Sequence, residues 1–252
     1  MDDITAEKEI SARHTRLNGL LRISAAPVLG ACMLFTSAVP IREAKPMAIS
    51  ESQIRAYLDM QIRERVRKDV ARMYAEAECA KLPNGDWNAK KLAALQKRYF
   101  TYLRTNSKYM ITDGIPNSII DLMPLISHIG EMYDLSPMLI ASIIKNESYG
   151  YPFAIGSKGE MGLMQINPNA NPKIFRDKQI KETIFNPEVN ITIGTEILAR
   201  DIASAGGNVE YGLTKYNVGQ ERLGNIRLKA CGRSYAKNVL STVKKIEFIS
   251  TQ

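Results

Sequence analysis

Residues 136–150 read SPMLIASIIKNESYG. Ser136-Pro137 has the form of a helix start, because a serine hydroxyl can cap free backbone N–H groups and proline is tolerated at the first helical position. Beyond it, Leu139, Ile140, Ile143, Ile144 and Glu147 fall at the spacings that share one helical face, so the spacing predicts an apolar stripe that ends on a carboxylate. Glu147 also falls in the last turn, where the helix dipole disfavours negative charge. Burial and dipole both raise a carboxyl pKa. A shift from about 4.3 to roughly 6 corresponds to about 2 kcal/mol and leaves a useful fraction protonated near neutrality. Such a group can donate a proton. The competing reading is a glutamate turned outwards at a fraying helix end.

The chain continues SYGYPFAIGSKGEMGLMQINP over residues 148–168. Gly150, Gly156, Gly159 and Gly162 allow a tightly folded loop that brings backbone close to a ligand, and Gln165 can offer an amide donor and acceptor. The loop is not a phosphate cradle, since GxxxxGK[ST] is absent, and the chain has no GxSxG nucleophile motif. His14 and His128 are the only histidines, and no Cys/His pair has ligand spacing, so neither metal nor cofactor is expected.

The 252 residues, 45% hydrophobic and 24% charged, suffice for one good core and a smaller appendage. Residues 23–41, ISAAPVLGACMLFTSAVPI, are uncharged and mostly apolar, with Arg13, Arg16 and Arg22 before them and Arg42 after. This is the layout of a secretory signal or a single membrane anchor, which favours export to the periplasm or cell envelope. Thr36 and Ala38 offer a cleavage site, whereas Pro27 and Pro40 interrupt a spanning helix. Leu29-Gly30-Ala31-Cys32 has the outline of a lipobox, although the chain stays apolar after it, and a buried core helix remains a further reading. Removal of residues up to about Ala38 would leave Cys79 and Cys231, which could pair in an oxidising compartment or stay as two inert thiols.

The net charge of +8 is concentrated in residues 42–110, with 15 Lys and Arg against 8 Asp and Glu. There Ile54, Leu58, Ile62, Val66, Val70, Met73 and Ala77 form one stripe of a long helix. The turn KLPNGDWN follows at 81–88, and Leu92, Leu95, Tyr99 and Tyr102 mark a second stripe. Residues 42–110 are therefore expected to hold a basic helical hairpin, packed on the main domain or touching an anionic surface. No nucleic-acid-binding motif accompanies the charge.

Five blocks carry a resemblance: Glu147-Ser148; Gly162-Leu163-Met164-Gln165; Asn186-Pro187-Glu188-Val189-Asn190-Ile191 with Gly194; Lys215-Tyr216-Asn217-Val218-Gly219; and Ser234-Tyr235-Ala236-Lys237-Asn238-Val239. In order and spacing they resemble the catalytic domain of soluble-type (SLT) lytic transglycosylases over roughly residues 117–245. The resemblance implies a mainly α, lysozyme-like catalytic domain at 111–252, preceded by the hairpin at 42–110 and the export or anchor segment at 1–41. It implies cleavage of the MurNAc-β-1,4-GlcNAc bond of peptidoglycan, without water, to a 1,6-anhydro product. Glu147 would be the sole catalytic acid/base, and Ser148, Gly162, Met164, Gln165, Tyr216, Asn217 and Tyr235 would line or shape the glycan groove.

Glycosidases ordinarily pair two carboxyl groups, and substrate-assisted enzymes dispense with the second. Glu160, Asp177, Glu182 and Glu188 are available, yet none sits in a motif that speaks for catalysis. Tyr216 could equally be a core residue, and Met161 and Met164 read more readily as core filler than as ligand contacts. The sequence departs from the family pattern at Gly156, where a serine is common, and at Asn167, where many members have methionine. The Gln-Ile-Asn variant at 165–167 resembles members that open the wall for secretion systems or pili. Two alternatives stand beside the transglycosylase: a hydrolytic muramidase, and a non-catalytic wall-binding module.

Overall fold

The computed structural model describes residues 50–219 and 222–250. The stretch 23–41, with its signal, anchor, lipid and core readings, lies outside them. Among the described residues no helix is long and apolar enough to cross a membrane.

The fold is mainly α, as the stripes predict. Helix α1 (Glu51–Glu78) starts at a capping box, in which the Ser50 hydroxyl accepts from Gln53 N–H and the Gln53 side chain accepts from Ser50 N–H. After the 81–88 turn, α2 (Ala89–Thr105) runs back against it, capped by Asn88. The hairpin stripe is buried only in part. Val66, Met73 and Ala77 are covered, whereas Ile54, Leu58 and Ile62 of the same row are exposed, as are Tyr57 and Met60. On α2 the row Leu92, Leu95, Tyr99 is buried as expected and continues to Leu103, with Tyr102 half-buried.

A one-turn helix α3 (Ser107–Met110) leads into β1 (Ile111–Thr112) and β2 (Ile115–Pro116), an antiparallel pair not foreseen from the sequence. Asp113 and Gly114 make its two-residue turn, both at positive φ (49° and 78°), the conformation an Asp-Gly pair favours. Helices α4 (Asn117–Ile120) and α5 (Met123–Met132) follow, then α6 (Pro137–Ser148), the helix of the opening stretch. Its Ser136 hydroxyl makes no capping hydrogen bond, contrary to the expectation. The Ser136 carbonyl accepts from Leu139 and Ile140, and Pro137 needs no partner for its nitrogen.

Beyond the glycine loop come a 3-10 turn (Ile174–Arg176), α7 (Lys178–Thr183), α8 (Pro187–Ala203), α9 (Val209–Val218) and α10 (Ile226–Ser250). Helix α6 packs against α5 and α10, and α9 against α8 and α10. One apolar cluster surrounds α6, with Ile140, Ile143, Ile144, Leu163, Leu198 and Leu213 at its heart. A second joins the hairpin to the rest through aromatic rings: Tyr99 stacks on Tyr151 at 4.5 Å, and Trp87 meets Phe185 edge-on at 4.8 Å. The described residues, hairpin included, accordingly form one compact unit. Cys79 and Cys231 are both exposed and unpaired.

Candidate active site

The six consecutive residues 139–144 of α6 are all buried, with Ile140, Ile143 and Ile144 at zero exposure. Glu147 follows in the same row and is only partly exposed. Burial pushes its carboxyl up to about 7, the nearby negative charge of Glu160 adds to the rise, and the Tyr235 hydroxyl opposes it. The competing picture of an outward-turned, freely solvated glutamate does not hold.

Two phenols stand around this carboxyl. Tyr216, on α9, donates its hydroxyl to the Met164 carbonyl at 2.7 Å, which ties α9 to the glycine loop. Tyr235, on α10, has a buried hydroxyl that faces the Glu147 carboxyl without ideal hydrogen-bond geometry. Burial raises both phenol pKa values well above the ordinary range, and the charge of Glu147 raises them further. At neutral pH both are therefore neutral donors beside the carboxyl. Next to Tyr235 opens a cavity of about 630 Å³, lined by Asn146, Asn217, Ser234, Tyr235 and Asn238 together with one cation, Arg227. Its amides, hydroxyls and one aromatic ring suit a hydroxyl-rich polymer such as a sugar strand, and Arg227 adds one positive charge.

The glycine loop lies beside the Glu147 carboxyl, with the charge of Glu160 reaching it and the Met164 carbonyl held by Tyr216. Met161 bridges both Ile155 and Ile166, which folds residues 155–166 into a tight double turn. Gly150, Gly159 and Gly162 adopt positive φ (75°, 81° and 80°), and a Cβ on Gly162 would overlap the Asn190 amide. Asn190 holds the loop. Fully buried on α8, its Oδ1 accepts from Met164 N–H at 2.8 Å, while its Nδ2 donates to the Met161 and Ile184 carbonyls at 3.0 and 2.9 Å. Every polar atom of that amide is used, which makes it costly to replace.

Of the residues expected around the groove, Glu147, Tyr216 and Tyr235 come together, and Asn217 is exposed at the lip of the cavity. Ser148 and Met164 face inward. The Ser148 hydroxyl donates to the Ile144 carbonyl at 3.1 Å and accepts from Gly150 N–H, and Met164 is completely buried beside Gly194 and Thr195. Gln165, half-buried at φ 49°, donates its amide to the Ala154 and Gly162 carbonyls. The polar groups of Ser148 and Gln165 are thus spent on nearby backbone, and Met164 is core. Asp177, Glu182 and Glu188 have posts elsewhere, as a helix cap, a partner of Lys81 and Lys178, and a first-turn acid. Glu160 is different, since its charge reaches Glu147. Its carboxyl is anchored in the loop by the Lys158 N–H at 2.9 Å and the Asn167 amide at 3.4 Å. That proximity and the role of Asn190 carry no signal in the local sequence.

The model of the family described as "Transglycosylase SLT domain" matches residues 124–238, a span that holds all of these groups except part of the hairpin side. Residues 124–238 are a transglycosylase SLT domain. The chain is 34% identical over 83 residues to an endo-type membrane-bound lytic murein transglycosylase A of Citrobacter koseri, covering 31% of this chain and 41% of that one. It is 31% identical over 111 residues to a membrane-bound lytic murein transglycosylase E of Buchnera aphidicola, covering 42% of this chain and 46% of that one. The chain thus spans less than half the length of these curated relatives. Among solved structures, the 70 kDa soluble lytic transglycosylase of Escherichia coli is similar at 24% identity and a TM-score of 0.44, over 50% of this chain and 24% of that one. Within the SLT domain, Glu147 is the acid that the fold isolates, and the residues before 124 contribute its outer aromatic cluster.

Proposed function

We propose that the chain is a peptidoglycan lytic transglycosylase, which cleaves the MurNAc-β-1,4-GlcNAc bond and leaves 1,6-anhydromuramoyl ends. The observation that carries this is a single carboxyl, raised to about 7 in the SLT domain, beside two neutral phenols and a polar groove without a carboxylate in its lining. Protonated Glu147 gives its proton to the glycosidic oxygen as the bond to C1 breaks. The N-acetyl group of the substrate stabilises the positive charge at C1, so no second carboxylate is needed. Glu147, now ionised, takes the proton of the muramic 6-hydroxyl as that oxygen attacks C1, which restores the acid and consumes no water. A pKa near 7 suits both steps, because neither protonation state is far out of reach at neutral pH.

Ser148, Gly162, Met164 and Gln165 act by shaping the groove wall, and Tyr216, Asn217 and Tyr235 by lining it. Such chemistry belongs in the cell envelope, reached through export or anchoring by residues 23–41, where local opening of the wall for a secretion or pilus apparatus is one use of it. One observation favours a second reading, a hydrolytic muramidase: Glu160 is near enough to act on Glu147 electrostatically. Its anchoring in the loop by Lys158 and Asn167 speaks for a fixed charge rather than a base. Digestion of purified peptidoglycan followed by mass spectrometry separates the readings. Fragments lighter by one water, lost in Glu147→Gln, are expected. Hydrated ends would support the muramidase, and binding without new ends would support a non-catalytic module.

A further inference from the structure

The groove beside Tyr235 continues past the place where the sugar would react. A second cavity of about 610 Å³ adjoins it and shares Ala230 and Ser234 of α10 as a common wall. The two halves differ in chemistry. The first is lined by amides, hydroxyls and Tyr235 with one cation, Arg227, whereas the second is lined by three, Lys229, Arg233 and Lys237, with Leu223 and Ile226 as its apolar part. The three cations recur every four residues, so they form one row along the helix, each about 6 Å further along its axis. No carboxylate lines either cavity among the described residues, and none of the three takes part in the ion pairs found there. Lys229 stands over the Tyr211 ring at 5.7 Å, and among the described residues its ammonium makes no ion pair.

A row of unneutralised cations with apolar neighbours is complementary to an extended anionic chain. It is not complementary to the sugar strand, whose backbone is neutral apart from what it carries. We infer that Lys229, Arg233 and Lys237 form a binding site for the carboxylates of the peptide side arms on the wall strand, so that the protein distinguishes strands that carry peptides from strands stripped of them. This rests on the reading of the first cavity as the glycan groove. Because the two cavities share a wall, a strand held by Asn217 and Tyr235 extends its side arms across Ser234 towards the row. The apolar Leu223 and Ile226 then face the aliphatic parts of the peptide. Ile226 is 87% exposed, the most exposed large apolar side chain among the described residues, and has no internal reason to sit there.

The test uses the full chain in two forms. Lys229→Gln/Arg233→Gln/Lys237→Gln removes the charge and keeps side-chain length and helix propensity, with circular dichroism as the check of folding. On peptide-bearing peptidoglycan its KM is expected to rise about tenfold, with kcat little changed. On strands stripped of peptide by an amidase, with the lactyl carboxylates that this exposes converted to amides, the two forms are expected to agree, and added salt should weaken only the native row on peptide-bearing strands. Equal loss on both substrates, or no change on either, overturns the proposal. A second arm is independent of catalysis: titration of Glu147→Gln with a soluble disaccharide-tripeptide, its carboxyl-amidated form and the peptide-free disaccharide. Tighter binding of the free carboxylate form, abolished when the triple substitution is added, supports the site even if no anhydro product is ever found. Equal binding of all three sinks it while leaving the transglycosylase reading intact.

Discussion

Helices α6 and α1 carry the same kind of message in their sequences, apolar residues three and four apart, and meet opposite fates. Helix α6 is enclosed by α4, α5 and α10, so the apolar part of its row is buried and the carboxylate at its end is half-buried. Helix α1 has α2 and α3 along only part of its length, so Val66, Met73 and Ala77 are covered while Ile54, Leu58 and Ile62 meet water. Periodicity thus specifies a helix and the face it would bury, and the neighbours decide how far along that face burial extends. The residue that breaks the pattern is informative only where enclosure is complete. In α6 a charged group had to be accommodated at a cost, whereas in the first half of α1 an exposed leucine costs little.

The largest effect is expected from removing that charged group. Glu147→Gln should lower the rate of anhydro-product release by at least about 10³-fold, near the upper part of the range for a single general acid and base. The same substitution should stabilise the fold. Folded Glu147 titrates at about 7 against 4.5 for the unexceptional carboxyl. Below 4.5 the proton is bound in both states. Between the two values the folded protein holds a proton that the unfolded chain has released, so the contribution to stability declines as pH rises and is fully lost above about 7. The loss amounts to at most about 3 kcal/mol. The melting temperature of the glutamine form should therefore exceed that of the native protein by a margin that grows from pH 4.5 to 7 and is flat above it. A margin independent of pH would show that the carboxyl is solvated after all.

A set of truncations measures enclosure along the two helices. Ile143→Ala removes a fully enclosed side chain of α6 and should cost about 4 kcal/mol in denaturant unfolding, towards the upper part of the range for such changes. Met73→Ala, in the covered half of α1 at 7% exposure, should cost about 2 kcal/mol. Leu58→Ala, 53% exposed on the same row, should fall within about 0.5 kcal/mol of zero. A cost at Leu58 equal to that at Met73 would mean that the first half of α1 is covered by something else in solution, and the contrast between the helices would disappear.

The sequence made α6 legible because a helix row and its end are local properties. The glycine loop was legible as a loop, since positive φ at Gly159 and Gly162 asks for glycine. What holds the loop was not. Asn190 lies in the first turns of α8, where an asparagine ordinarily reads as surface, and only the fold brings it under Met161 and Met164. For the same reason Met164 and Ser148 could be expected in the groove when they face away from it. The β1–β2 turn was written in Asp113-Gly114 and went unread, because its flanking strands are two residues each and show no alternation.

The smallest predicted effect probes the other carboxylate that the fold, and not the sequence, brings near Glu147. The charge of Glu160 makes ionisation of Glu147 harder. Glu160→Gln removes that charge, so Glu147 should ionise at lower pH, and the alkaline limb of the pH–rate profile should move down with it. At neutral pH less of the acid form remains and the rate falls modestly, while at acid pH it is retained. Glutamine can accept from only one of the two present donors, Lys158 N–H and the Asn167 amide, so some loosening of the loop is expected and would lower the rate at every pH alike. The displacement of the limb, not the height of the plateau, is the diagnostic quantity. If the substitution instead removed activity at all pH values as completely as Glu147→Gln does, Glu160 would be acting as a second catalytic carboxylate. The hydrolytic mechanism would then have to replace the one in which a single buried acid serves both steps.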